Sequence, residues 1–176
     1  MTHLLLTGEV QVGKSTLIRR LLEAHPGWRV GGFQTVTRWA GRQGSVHMIP
    51  ACAGQEACMA DNCVGLRDLD VKRPVSYPEV FDRVGPGLLR PEGADLLLMD
   101  ELGTMERQSP AFCGAVLRAL DSGVPVLGVI KPRSSDLLDA VRAHPRVKVV
   151  TVTRENRGAL LETLERWASE DTALGI

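Results

Sequence analysis

Gly8-Glu9-Val10-Gln11-Val12-Gly13-Lys14-Ser15 lies near the start of the 176-residue chain and decides how the rest is read. Its glycines, lysine and serine follow the pattern G-x-x-x-x-G-K-S/T, in which N–H groups of a loop and of the next helix converge on phosphate oxygens. The flanks supply the required context. His3 to Thr7 is an apolar run suited to a buried strand, and Leu17, Ile18, Leu21 and Leu22 share one helical face. In that setting Lys14 is expected to reach the β- and γ-phosphates and the Ser15 hydroxyl to ligate Mg²⁺, with Thr16 also among the nucleotide-binding positions.

Apolar, β-branched stretches alternate with helical periodicity along the remaining chain, which predicts an α/β fold: a mainly parallel sheet with helices on both faces. The expected strands are His3 to Thr7, Trp28 to Arg38, Ser45 to Ala51, Asp95 to Asp100, Pro125 to Ile130 and Val147 to Thr153. Helical faces recur at Phe112, Val116, Leu117 and Leu120, at Leu137, Leu138 and Val141, and at Leu160, Leu161, Leu164, Trp167 and Ala168. Ser109-Pro110 is a start signal for the first of these, a hydroxyl N-cap followed by proline at the first helical position. Glu170 to Ile176 is read as a frayed tail. Between Ala53 and Pro91 the periodicity weakens, so a single domain over 1–176 is expected to carry an irregular insertion at about 53–91. That insertion reads as a surface loop or as a lid, with one short helix around Tyr77 to Val84.

Twenty-one Lys+Arg balance twenty-one Asp+Glu, which argues against a global field that would gather nucleic acid. No apolar run is long enough to span a membrane, and Met1 to Leu4 lacks the basic start of a secretory signal, so a cytoplasmic chain is expected.

Leu96-Leu97-Leu98-Met99-Asp100-Glu101 describes a buried strand whose carboxyl end meets the ligand crevice. Asp100 there can hold Mg²⁺ through its water shell. Glu101 can orient and deprotonate a water for in-line attack on the γ-phosphorus, whereas a kinase would place a substrate hydroxyl at that point.

Asp100-Glu101-Leu102-Gly103-Thr104-Met105-Glu106 resembles the D-E-I/L-G-x-M-E signature of the small P-loop nucleoside-triphosphatases of archaea, bacteria and animals, the cancer-related nucleoside-triphosphatase family. Gly32-Phe33-Gln34-Thr35 with Arg38, the Ser109 to Phe112 helix start and Thr153-Arg154-Glu155-Asn156-Arg157 agree in order and spacing. The resemblance covers roughly residues 3–160 and is weakest in the insertion. It implies a RecA-like P-loop NTPase fold that hydrolyses ATP, GTP and other nucleoside triphosphates to diphosphate and phosphate with Mg²⁺. By position it implies a phosphate loop at Gly8 to Ser15, a second nucleotide-binding stretch at Leu96, Leu97, Leu98, Met99, Asp100, Glu101, Leu102 and Gly103, and Glu101 as general base. It also favours a base or ribose contact from Asn156 and Arg157, although these residues by themselves read equally well as a cap on the last helix. Val10 and Gln11 stand where family loops commonly carry Pro and Gly, and Ser15 replaces Thr. Gln11 is thus expected either to take a backbone conformation suited to glycine or to turn its side chain to the γ-phosphate.

Arg38, Arg42, Lys131 and Arg133 are candidates for the cation that meets charge on the transferred phosphoryl group. Lys131 stands out because it follows a predicted strand end. His47, Cys52, Cys58 and Cys63 are zinc-ligand types, but five and four residues separate the cysteines. Those gaps lack the tight Cys-x-x-Cys knuckle, so free thiols are expected. The reading is therefore a Mg²⁺-dependent nucleoside-triphosphatase in which Lys14, Asp100 and Glu101 do the chemistry. Its rivals are a small-molecule or nucleotide kinase with the insertion as lid, and a nucleotide-switched binding module.

Overall fold

β1 (His3–Thr7) carries three consecutive leucines, Leu4 to Leu6, that are buried on alternating sides, as only an interior strand covered on both faces requires. In the computed structural model, which describes residues 1–171, β1 is followed by α1 (Lys14–Ala24), β2 (Val30–Ala40) and β3 (Gln43–Pro50). Two 3₁₀ turns, Gln55–Ala57 and Ala60–Asn62, lead into β4 (Cys63–Asp68), β5 (Val75–Ser76) and α2 (Pro78–Leu88). The remaining elements are β6 (Leu96–Leu102), α3 (Pro110–Asp121), β7 (Val126–Ile130), α4 (Asp136–Ala143), β8 (Val147–Thr151) and α5 (Arg157–Asp171).

The eight strands form one sheet in the order β5-β4-β3-β2-β6-β7-β1-β8. Five of them, from β2 to β8 in that order, pair in parallel, and β3, β4 and β5 extend the β2 edge antiparallel. β7 lies between β1 and β6, so the glycine-rich loop and the acidic strand end are separated by one strand's width, the RecA-like arrangement.

Helices cover both faces. On one side Leu4 and Leu6 meet Leu17, Ile18 and Leu21 of α1 and Leu164 and Trp167 of α5. On the other, Leu5, Phe33 and Met99 pack under Phe81 of α2, Phe112 and Val116 of α3, and Leu138 of α4. Each such side chain, fully buried, contributes about 1.5–3 kcal/mol over exposure.

The segment between Ala53 and Pro91 is more ordered than its composition suggests. β4 and β5 pair within it, and α2 continues past Val84 to Leu88 despite Pro86. The extra turn follows from packing: a Cβ on Gly85 would lie 2.2 Å from Phe112 Cδ2, so the glycine lets α2 sit directly on α3. The α3 start falls at Ser109-Pro110 as expected, yet the Ser109 hydroxyl caps nothing. Asp82 Oδ1 instead accepts from Phe112 N at 2.9 Å, capping α3 from α2. Glu170 lies within α5, and the rest of the expected tail, 172–176, falls outside the described residues. No described helix is long and apolar enough to cross a membrane.

Candidate active site

Gly8 leaves β1 at φ +132°, where a Cβ would lie 2.4 Å from Val152 O, so the loop turns against β8's end through a position closed to side chains. Gln11 follows at φ 62° and is the only non-glycine with positive φ among the described residues; the backbone alternative expected for it is the one adopted. Gly13 at φ +105° is the N-cap of α1, and no side chain caps that helix. Its first N–H groups therefore face the cleft without a side-chain acceptor, as an anion site requires. Lys14 Nζ folds back onto Gly8 O at 3.0 Å and Glu9 O at 2.6 Å.

The second half of the site comes from the carboxyl end of β6. Ser15 and Lys14 at the start of α1 act on the Asp100 carboxylate at the acidic strand end, across the width of β7. Burial pushes the Asp100 carboxyl up and the Glu101 charge adds to this, while the neighbouring Ser15 side chain and the Lys14 charge oppose it. Registers run Asp100↔Val129 but Leu102↔Ile130, so Glu101 is the extra residue of a bulge, a device that re-aims a side chain. Its Oε1 accepts from Lys131 Nζ at 2.8 Å, with both side chains about one-third exposed (29% and 32%).

The turn after β6 is held from two directions. Glu106 is buried and accepts the Gly103 N–H, and burial pushes its carboxyl up. On the outer side Ser76 Oγ donates to Met105 O at 2.5 Å, and Met105 Cε occupies the space a Cβ on Gly65 would need.

A cavity of about 870 Å³ opens between these parts. Of the loop residues, Gly8, Glu9, Val10, Gln11, Gly13, Lys14, Ser15 and Thr16 line it, with Glu101, Lys131 and Arg133 opposite. Val12 is buried in the core beneath, and Leu96, Leu97, Leu98, Met99 and Leu102 are likewise core residues that position the acids. Gly103 gives the Lys131 side chain room, its notional Cβ lying 3.1 Å from Lys131 Cδ. Asn156 spends its amide on Thr153 N at 2.8 Å and Thr151 O at 2.9 Å, the capping geometry, whereas Arg157 reaches the loop, its Cδ 3.8 Å from a Cβ on Gly13.

Arg42 lies elsewhere, forked onto Asp70, and Arg38 is not among the lining residues. The far wall comes from Trp39 of β2 and from Arg67, Leu69 and Lys72 of the segment read as a surface loop or lid, which face the phosphate loop across the cavity. No motif marked these residues individually, since the pairing that brings β4 alongside is long-range. His47 uses both ring nitrogens on protein, Nδ1 donating to Met59 O and Asn62 Oδ1 at 3.0 Å and Nε2 accepting from Ser45 Oγ at 2.9 Å. The described residues hold no group of three side chains of the His, Cys, Asp and Glu types placed to share a metal ion.

Comparison with known proteins agrees with this geometry. The family profile described as NTPase matches residues 3–164. The chain is 36% identical to nucleoside-triphosphatase THEP1 of Thermofilum pendens, the match covering 93% of each chain. It is 32% identical to the cancer-related nucleoside-triphosphatase homolog of Bos taurus, over 90% of this chain and 92% of that one. The solution structure of a human cancer-related nucleoside triphosphatase superposes with a TM-score of 0.70 at 27% identity, covering 94% of this chain and 96% of that one. The crystal structure of THEP1 from Aquifex aeolicus shares the fold at a TM-score of 0.71 and 24% identity, over 93% and 96% of the two chains. With a profile match over residues 3–164 and relatives above 30% identity over nine-tenths or more of the chain, the protein belongs to the nucleoside-triphosphatase family.

Proposed function

We propose that this protein hydrolyses ATP, GTP and other nucleoside triphosphates to the diphosphate and phosphate in a Mg²⁺-dependent reaction at the cleft between the glycine-rich loop and the end of β6. The observation that carries this reading is that Lys14 and Ser15 of the phosphate loop and Glu101 of the β6 end line one cavity, with Asp100 close enough to Ser15 and Lys14 to be influenced by both. Two hard oxygen donors from separate elements, placed together beside an anion-binding helix start, are the donor set Mg²⁺ favours. Ser15 and Asp100 would hold the ion. When bound, it neutralises charge on the β- and γ-phosphate oxygens.

The chain's own groups do the rest. Loop and α1 amides bind the phosphate oxygens, and Lys14 exchanges its two carbonyl partners for the β- and γ-phosphates. Glu101 accepts a proton from a water whose oxygen bonds to the γ-phosphorus. The bond from that phosphorus to the β–γ bridging oxygen breaks, and the diphosphate leaves with the electron pair, its charge met by Lys14. Arg157, beside Gly13, is placed to contact the nucleoside side of the ligand, while Asn156 holds the turn that presents it.

Glu101→Gln is expected to bind nucleotide at least as tightly as the wild type and to lower hydrolysis by about two orders of magnitude or more, the usual contribution of a general base. Phosphate release from a panel of ribo- and deoxyribonucleoside triphosphates, with and without Mg²⁺ and with no added acceptor, measures this. Turnover that required a second substrate would instead mark a kinase.

A further inference from the structure

Lys131 closes β7, the strand between the glycine-rich loop and Glu101, and its ammonium is bonded to the very carboxylate read here as the base. Its backbone cannot move easily. The N–H donates to Leu102 O at 2.9 Å, and its carbonyl accepts from Arg133 N at 2.8 Å and Arg142 Nη2 at 2.5 Å. The side chain, by contrast, is about one-third exposed and runs over Gly103, where the missing Cβ leaves it room. Lys131, Glu101, Lys14 and Ser15 line one cavity, so the ammonium shares the space that opens onto the phosphate loop.

A carboxylate oxygen engaged by an ammonium is unavailable to water. A γ-phosphate brings a stronger concentration of negative charge within reach of the same ammonium, and a diphosphate does not. We propose that Lys131 is a latch on Glu101 that the γ-phosphate releases: the Lys131–Glu101 pair holds the empty site inactive, and a bound triphosphate draws Lys131 onto its terminal phosphoryl group and frees the carboxylate for water. Lys131 is thus a positioning residue for Glu101 as well as a contact that distinguishes triphosphate from diphosphate. The inference rests on the hydrolytic reading above, and its test is independent of turnover.

The test is calorimetric binding of a non-hydrolysable ATP analogue and of ADP, both with Mg²⁺, to the full chain and to Lys131→Met, Glu101→Gln and the double variant. Lys131→Met is expected to weaken the analogue about tenfold, the typical effect of one charge-assisted contact, and to leave ADP within about twofold. Glu101→Gln is expected to tighten the analogue about threefold or more where Lys131 is present, by removing its competitor, and to have no such effect in the Lys131→Met background. Lys131→Arg restores the analogue-to-ADP preference; Lys131→Gln stands in if the methionine variant melts early. An unchanged preference in Lys131→Met, or the same Glu101→Gln effect in both backgrounds, overturns the latch. Wild-type turnover in Glu101→Gln would instead overturn the hydrolytic reading, so the two failures are separable.

Discussion

Gln11 occupies a left-handed backbone position that costs an L-residue about 1–2 kcal/mol, while glycine there forfeits about 0.5–1 kcal/mol of chain entropy on folding. Gln11→Gly is therefore expected to raise stability slightly, by up to about 1 kcal/mol, in chemical denaturation of the free protein. This residue was legible through the family resemblance, because it stands where related loops commonly carry glycine. Glu106 was legible only as the last letter of the family signature, and its task was not: the packing of the turn after β6 reveals that the buried acid accepts the Gly103 N–H.

Helix α3 shows why a correct boundary does not imply a correct cap. Ser109-Pro110 marks the helix start, but the hydroxyl is buried without a partner while Asp82, 30 positions before Phe112, supplies the cap. Asp82→Ala is expected to cost about 1 kcal/mol, the usual worth of an N-cap, and Ser109→Ala to be neutral or mildly stabilising. Urea midpoints of the two variants check both. The five parallel strands were readable to within about two residues because apolar, β-branched runs mark them. β4 and β5 escaped because they are short and only partly buried, β5 being the sheet edge, and the end of α2 because glycine and proline argue locally against a helix that Phe112 favours tertiarily.

At the scale of the molecule, His3 ties the sheet to two connections at once. Its Nε2 donates to Leu120 O at 2.8 Å, and its Nδ1 accepts from Val126 N at 3.1 Å, a pattern only the neutral ring satisfies. Burial holds its pKa below the ordinary 6.5, and the nearby Arg146 charge acts in the same direction. The unfolded chain therefore takes up this proton first as pH falls. The contribution of His3 is complete above about pH 6.5 and is lost as pH drops through the lowered folded value. Melting between pH 7 and pH 5 is expected to fall more steeply for the wild type than for His3→Gln.

The insertion of Met105 beneath Gly65, with Ser76 gripping the Met105 carbonyl, carries a consequence for how this architecture tolerates change. Any side chain at Gly65 would evict the methionine and slacken the peptide segment that trails Glu101, the base proposed above. The outer hairpin strands are in this sense a buttress, and trimming them for a smaller enzyme would loosen the chemistry at the opposite side of that turn.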